Sequence, residues 1–241
     1  MDEQYYPLVY RVEDRHWWFR GRRAVIGALL HRAGVRPERR VLDAGCGTGR
    51  NLQDYRLLGP ARGIEPDASA VEFCHERGLT EVVQAGVEAL PFEAGAFDLV
   101  FATDVLEHVK DDLGAFRELA RVSEPGGLMV ATVPAHMWLW SQSDVSLQHK
   151  RRYSRPELLR RAAENGWEPV LSTYFNAALL PPIALARALR RRGGSERAEL
   201  ELTPAWLDRL LAIPMTAEAA LIRRGATLPT GVSVGAVWRR A

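Results

Sequence analysis

Val41-Leu42-Asp43-Ala44-Gly45-Cys46-Gly47-Thr48-Gly49-Arg50-Asn51 decides the fold. A short apolar run ends on an acid, three glycines follow at every second position, and the pattern then turns helical. The plain reading is strand, tight turn, helix start. Glycine serves where a backbone must turn sharply or lie against a ligand with no Cβ in between. The first turn of a helix leaves N–H groups unpaired for whatever sits before it. The loop is expected to cradle a small cofactor.

Working outward, residues 40–44, 61–65, 82–85, 97–103 and 128–133 read as strands, with helices over 50–58, 68–77 and 113–122 between them. That alternation predicts a parallel sheet with helices on both faces. Later strands are expected at 169–174 and 232–239. Two segments stand outside the alternation. Residues 1–37 form an N-terminal helical cap, in which His16-Trp17-Trp18-Phe19-Arg20-Gly21-Arg22-Arg23 leads into a helix over 24–32. Residues 176–228 form a helical insertion before the last strand at 229–241, with helices over 183–192, 204–212 and 217–224 and a mobile turn at 190–195. Residues 38–175 are the expected cofactor-binding core of a single domain.

The chain has 241 residues, 47% apolar and 26% charged, enough for one sizeable α/β core. Its 32 Lys+Arg against 30 Asp+Glu leave a net charge of +2, so bulk charge gives no argument for nucleic acid. The two cysteines, Cys46 and Cys74, read as reduced thiols of a cytoplasmic protein. No basic stretch followed by an apolar one opens the chain. No apolar run reaches the ~18 residues of a membrane span. The stretch 177–189 is interrupted by Pro181-Pro182 and Arg187, and 177–192 is a candidate for peripheral membrane contact.

A dinucleotide fold places G-x-G-x-x-G at this turn, whereas Gly45, Gly47 and Gly49 give G-x-G-x-G. Glu65 ends the second strand, where a carboxylate can accept from both ribose hydroxyls. With these residues, Gly63-Ile64-Glu65-Pro66-Asp67, Val87-Glu88-Ala89-Leu90-Pro91-Phe92, Phe97-Asp98-Leu99-Val100, Asp104-Val105-Leu106-Glu107-His108-Val109 and Arg121-Val122-Ser123-Glu124-Pro125-Gly126-Gly127 follow in order. The chain resembles a class I S-adenosylmethionine-dependent methyltransferase of the small-molecule group, type 11 or type 12, over about residues 38–175.

The resemblance implies a Rossmann-like seven-stranded, mostly parallel sheet of order 3-2-1-4-5-7-6, with an N-terminal helical lid. It implies that Asp43, Gly45 and Gly47 meet the methionine side of S-adenosylmethionine. Glu65 would meet the ribose, Val87 and Glu88 the adenine, and Thr103 and Asp104 the floor beneath the methionine, with Cys46, Asn51, Pro66 and Val105 as further cofactor contacts. The acid often found two residues before Glu88 is replaced by Gly86. One of Arg20, Arg22 and Arg23 would face the cofactor carboxylate.

The acceptor is expected at the carboxyl ends of the strands. There the loop after Pro134 carries His136, Trp138, Trp140 and Asp144, followed by His149-Lys150-Arg151-Arg152-Tyr153. His149 is the expected general base or acceptor-orienting group, because an imidazole is near half-neutral at physiological pH. Asp144 would polarise it or bind the acceptor. His108, His136, Trp138, Trp140, Arg152, Tyr153 and Trp17 are candidate acceptor contacts. An equally open reading makes the arginines and Tyr153 braces for the helix that Ser154-Arg155-Pro156-Glu157 caps, makes His108 a local hydrogen-bonding residue, and makes Trp17 and Trp18 core packing. No metal-ligand spacing is evident, so metal-independent transfer is expected.

The function expected is methyl transfer to an oxygen or nitrogen of a small-molecule, lipid-linked or sugar-linked acceptor in biosynthesis. A non-catalytic, cofactor-binding partner subunit docking through 177–227 is the alternative, and a homodimer stays open. The base-methylating Asn/Asp-Pro-Pro-aromatic motif is absent after the fourth strand, which argues against nucleic acid.

Overall fold

The strand over Phe97–Thr103 shows how alternation builds two faces at once. Leu99 and Phe101 pack into one buried cluster, Val100 and Ala102 into another on the opposite side. Successive side chains of a strand point to opposite faces, and a strand covered on both sides reads as a continuous apolar run. The structure, a computed structural model, describes residues 5–193 and 203–241.

Seven strands, β1 (Val41–Ala44), β2 (Ala61–Glu65), β3 (Val82–Gln84), β4 (Phe97–Thr103), β5 (Ser123–Pro134), β6 (Trp167–Phe175) and β7 (Ser233–Arg240), form one sheet of order β3-β2-β1-β4-β5-β7-β6. This is the expected order. β7 runs antiparallel to both its neighbours, and the other pairs are parallel. The chain steps outward from β1 to β3 and then returns to β4 on the other side of β1. The crevice at such a switch point, beyond the carboxyl ends of the strands, is where open α/β sheets bind ligands.

The helices are α1 (Tyr5–Val12), α2 (Trp17–Arg32), α3 (Arg50–Tyr55), α4 (Ala68–Glu76), α5 (Asp112–Val122), α6 (Gln142–Ser146), α7 (Arg155–Ala163), α8 (Leu180–Gly193) and α9 (Ala205–Arg223). α5 and α7 cover one face through Phe116, Leu119, Leu158 and Ala162. α2 and α9 cover the other through Val25, Ile26, Leu29, Met215, Ala219 and Ile222. Each fully buried Leu, Ile or Phe in these layers contributes about 1.5–3 kcal/mol.

Three expected boundaries move. α2 starts at Trp17, because His16 caps it with its ring nitrogen accepting from the Trp18 N–H at 3.3 Å. The helices expected over 204–212 and 217–224 are one helix that runs through Pro214. Proline removes one helical hydrogen bond, but Met215, Ala219 and Ile222 on the far side of it are buried against α2 and the sheet. The second half of the insertion therefore belongs to the core. α8 continues through the first part of the turn expected at 190–195, and residues 194–202 lie outside those described. Among the described residues, no helix is long and apolar enough to cross a membrane.

Candidate active site

The glycine loop is pinned to the sheet by two hydrogen bonds, from the Gly45 and Cys46 N–H groups to the Ile64 carbonyl, each 2.9 Å. Gly45 has φ +80°, and a Cβ there would come within 2.5 Å of the Val105 side chain. Gly47 has φ +55° and nothing within 4 Å of where its Cβ would stand, so this face of the loop is open to a ligand. The Cys46 side chain points the other way, into a small cluster with Leu52, Cys74, Leu79 and Val82. Only the backbone of Cys46 is left to meet a cofactor.

Glu65 is almost wholly buried at the end of β2. Its carboxylate accepts from the Gly47 N–H at 2.9 Å, the Asp67 N–H at 3.2 Å and the Tyr6 hydroxyl at 3.1 Å. Burial raises its pKa and those bonds oppose the rise. Tyr6 belongs to α1, so the first helix lies over Glu65 at the crevice, where the N-terminal helical lid is expected. Glu13 anchors the lid, accepting from Thr48 Oγ1 at 2.5 Å and from Arg77 at 2.6 Å. Trp17 and Trp18 pack on the α2–α9 layer; Trp18 stacks on Phe175, and the Trp17 N–H donates to Asp208. Trp17 is thus a packing residue here, not a free pocket wall.

Asp43 is fully buried and neither carboxylate oxygen has a hydrogen-bond partner. Burial pushes its pKa up to about 7, against the pull of Arg22. Of the three arginines considered, Arg22 is the one in the crevice. It pairs with Asp104, whose other oxygen accepts from Thr132 at 2.9 Å, and its buried Nε has no partner. Asp104 is thereby committed to holding Arg22, and its backbone sits at φ +56°. Asn51 donates to Thr103 at 3.4 Å. On the adenine side Val87 is buried, while Pro66 and Glu88 are exposed at the rim and Glu88 accepts from the Asp111 N–H at 3.4 Å. Orphaned groups of both signs and an open glycine face fit a zwitterionic methionine end.

On the acceptor side, Asp144 is fully buried and heavily bonded. It accepts from Arg152 Nε at 2.7 Å, Arg152 NH2 at 2.9 Å, the Ser141 N–H at 2.8 Å and His149 Nδ1 at 2.8 Å. Burial alone would raise its pKa, but the bonds from His149 and Arg152 outweigh burial and hold the carboxyl below the usual range. Asp144 positions His149 and has no oxygen left for an acceptor. Arg152 is spent on Asp144 and on the Ala135 carbonyl. Tyr153 is fully buried, its hydroxyl 2.8 Å from Asp112 and 3.1 Å from the Leu106 carbonyl. Arg151 pairs with Asp112. Arg152 and Tyr153 face inward and brace the loop.

His149 lies edge to face with His108, ring centroids 4.6 Å apart. Burial, then the neighbouring His149, lowers the His108 pKa to about 4. The Lys150 N–H donates to the Glu107 carbonyl at 2.7 Å and ties the two loops together. Glu107 is buried, one of its oxygens has no partner, and burial followed by Asp104 raises its pKa well above the carboxylate range. Glu107, His108 and His149 offer ligand atoms within 4.8 Å of one another, a grouping that spacing along the chain did not show. His136 stacks on Tyr174 and on Trp138 at φ +61°, Trp140 is half-buried, and both tryptophans line the same loop. A hollow of about 600 Å³ lined in part by Arg40, Leu52, Pro60 and Phe97 opens at the amino ends of the strands, the end where such sheets do not bind ligands.

Against known proteins, the model of a methyltransferase domain matches residues 42–131. A probable S-adenosylmethionine-dependent methyltransferase of Mycolicibacterium smegmatis is 28% identical over 211 residues, 83% of this chain and 78% of that protein. A ubiquinone biosynthesis O-methyltransferase of Methylocella silvestris is 39% identical over 98 residues, 38% of each chain. In fold, the chain is similar to geranyl diphosphate methyltransferase solved with S-adenosylmethionine: TM-score 0.61, 20% identity, 100% of this chain and 92% of that one.

Proposed function

As a class I S-adenosylmethionine-dependent methyltransferase, this chain is an enzyme, and we propose that it methylates an oxygen or nitrogen of a small-molecule, lipid-linked or sugar-linked acceptor held beside His149. The observation that carries this reading is the buried Asp144–His149 pair at the carboxyl end of the sheet, with a donor atom of Glu107 and of His108 within 4.8 Å of one on His149.

When bound, S-adenosylmethionine supplies a methyl group on a sulfonium, a leaving group already activated by its charge. In this reading Glu65 holds the ribose hydroxyls, and the open face of Gly47 lies against the methionine portion. Asp43 answers the ammonium group and the free Arg22 Nε–H answers the carboxylate. α1 covers the ribose and excludes water, which strengthens each of these charge interactions. Asp144 accepts from Nδ1 of His149, which fixes the proton there and leaves the Nε2 lone pair for the acceptor. His149 Nε2 would take the acceptor's proton as the acceptor gains the methyl group. General-base help of this kind is worth about 10²–10⁴ in rate.

The test is turnover of methyl-labelled S-adenosylmethionine against a panel of phenolic, amine and glycolipid acceptors, with wild type and His149→Ala. Equal turnover by the two proteins on an accepted substrate would remove His149 from the chemistry.

One observation favours lipid-surface contact as well. Trp206, Leu210 and Ile213 recur at helical spacing on α9 and are 66%, 54% and 61% exposed, with Leu185 and Leu189 of α8 also exposed. Scattered exposed apolar residues are ordinary, but a stripe is not. Co-sedimentation with anionic and neutral vesicles tests it, and no binding to either discards it.

A further inference from the structure

We propose that Glu107, His108 and His149 form a binding site for a divalent transition-metal ion of the zinc type on the acceptor side of the crevice. Three donor atoms, two imidazole nitrogens and a carboxylate oxygen, lie within 4.8 Å of one another. Among the described residues this is the one such group of His, Cys, Asp and Glu. Ligands at about 2.1 Å in a tetrahedral shell stand about 3.4 Å apart, so closure needs side-chain rotations and no change of fold. Two imidazoles and a carboxylate are a donor set that suits zinc and its neighbours.

A second, independent observation points into the same space. Glu107 is 1% exposed, and its Oε2 has no hydrogen-bond partner. A carboxylate oxygen sealed from water without a donor is costly. The imidazole N–H groups are taken elsewhere, that of His149 by Asp144 and that of His108 by the Leu147 backbone, which leaves one lone-pair nitrogen on each ring and no donor for that oxygen. The nearby charges do not satisfy it either: Arg22 is paired with Asp104, and Arg152 with Asp144. Glu107 is the acid left without a partner, and a cation that displaces its proton answers it.

The outer shell is also that of a metal site. His149 Nδ1 lies 2.8 Å from Asp144 Oδ1, and Asp144 is fixed by a two-pronged bond from Arg152 and by Ser141. A ligating imidazole commonly gives its other N–H to a carboxylate, which sets the tautomer and the ring angle. The Lys150 N–H to the Glu107 carbonyl holds the two ligand-bearing segments together.

Three protein ligands leave a fourth position open. The consequence for chemistry rests on the acceptor reading above; the binding of the ion does not. An acceptor hydroxyl at the open position would lose its proton to water more readily. It would keep a second lone pair to take the methyl while the S–C electrons return to sulfur. An amine has one lone pair and would spend it on the ion. The site thus selects a hydroxyl acceptor, phenolic or sugar, over an amine, and His149 then serves as ligand rather than as base.

The experiment strips the purified full chain with chelator, then titrates Co²⁺ by visible absorption and Zn²⁺ by metal analysis after dialysis. Wild type should bind one equivalent. His149→Ala and the near-isosteric Glu107→Gln should bind at least 100-fold more weakly, and Asp144→Asn about 10–100-fold more weakly. S-adenosylhomocysteine affinity, measured on each variant, reports that the fold and cofactor site persist. Zinc should also raise the melting temperature of wild type and not of Glu107→Gln, a readout that needs no acceptor. No stoichiometric binding by wild type, or equal binding by wild type, Glu107→Gln and His149→Ala, overturns the inference. Full turnover by chelator-stripped wild type that binds the ion overturns the ion's part in the chemistry and returns the acceptor proton to His149. If the ion binds as expected but His149→Ala turns over normally, the acceptor reading fails and the metal site stands.

Discussion

Replacing Asp43 with asparagine separates the stability of the apoprotein from its affinity for cofactor. Asp43 is fully buried, both oxygens lack partners, and burial lifts its pKa from 3.8 to about 7. A folded-state pKa above the unfolded value means that the native state holds the proton longer. The stability this gives is fully present below pH ~4 and is lost as pH rises through about 7. Between pH 5 and pH 8 the native carboxyl ionises while the unfolded one is already ionised. Two pH units at about 1.4 kcal/mol each give a loss of about 3 kcal/mol. Asparagine has no such loss. Its own unpartnered amide is a cost common to both pH values and cancels in the difference. The melting-temperature gain of Asp43→Asn over wild type should therefore be larger at pH 8 than at pH 5 by about 6–12 °C for a chain of this size. The assay is calorimetric or fluorescence melting of apoprotein at the two pH values. In the same variant S-adenosylhomocysteine should bind at least tenfold more weakly, because the ammonium group loses its counter-charge. A gain that is equal at pH 5 and pH 8 would show that Asp43 carries no burial penalty and would refute the reasoning.

Three other outcomes are expected. His149→Gln should lower kcat by about 10²–10⁴ while leaving S-adenosylhomocysteine affinity within twofold, measured by turnover and calorimetry. Asp144→Asn breaks a buried pair with Arg152 and should cost about 3–5 kcal/mol in denaturant unfolding at neutral pH; because the folded pKa of Asp144 is depressed, its contribution is present at neutral pH and shrinks as pH falls through the acid range. Tyr153→Phe removes a buried hydroxyl from Asp112 and the Leu106 carbonyl and should cost about 1–3 kcal/mol of stability with cofactor affinity unchanged; a large loss of turnover without loss of stability would return Tyr153 to the acceptor site.

The sheet was legible because strand and loop signals are local. Leu42 through Gly49 carries its own turn chemistry, and the apolar alternation of β4 is visible without any partner. The pairing of α2 with α9 was not legible. It depends on Met215, Ala219 and Ile222 beyond Pro214, a residue that reads as a break until the burial on its far side is known. Within the candidate site, Asp43 and Glu65 were expected from the motifs at the ends of β1 and β2, and both are buried there. Tyr6 and Glu13 were missed because they come from a cap with no motif of its own, and the fold carries them across to Glu65 and Thr48. The His149-Lys150-Arg151-Arg152-Tyr153 run held two readings, and burial separated them. Arg152 and Tyr153 face inward onto Asp144, Asp112 and backbone carbonyls, while His149 keeps one ring edge for chemistry. Glu107 stood in the sequence only as part of the run after the fourth strand. Its unpartnered oxygen is a property of the packed site alone.

We propose that the ribose diol is held by a single buried carboxylate, Glu65 at the end of β2. Calorimetric titration of S-adenosylhomocysteine into wild type and Glu65→Ala tests it most directly. One site on wild type and at least 100-fold weaker binding to the variant is the predicted result, since two charge-assisted hydrogen bonds are lost at about 1.5–3 kcal/mol each. Equal affinity for the two proteins, or no heat from either, would contradict it.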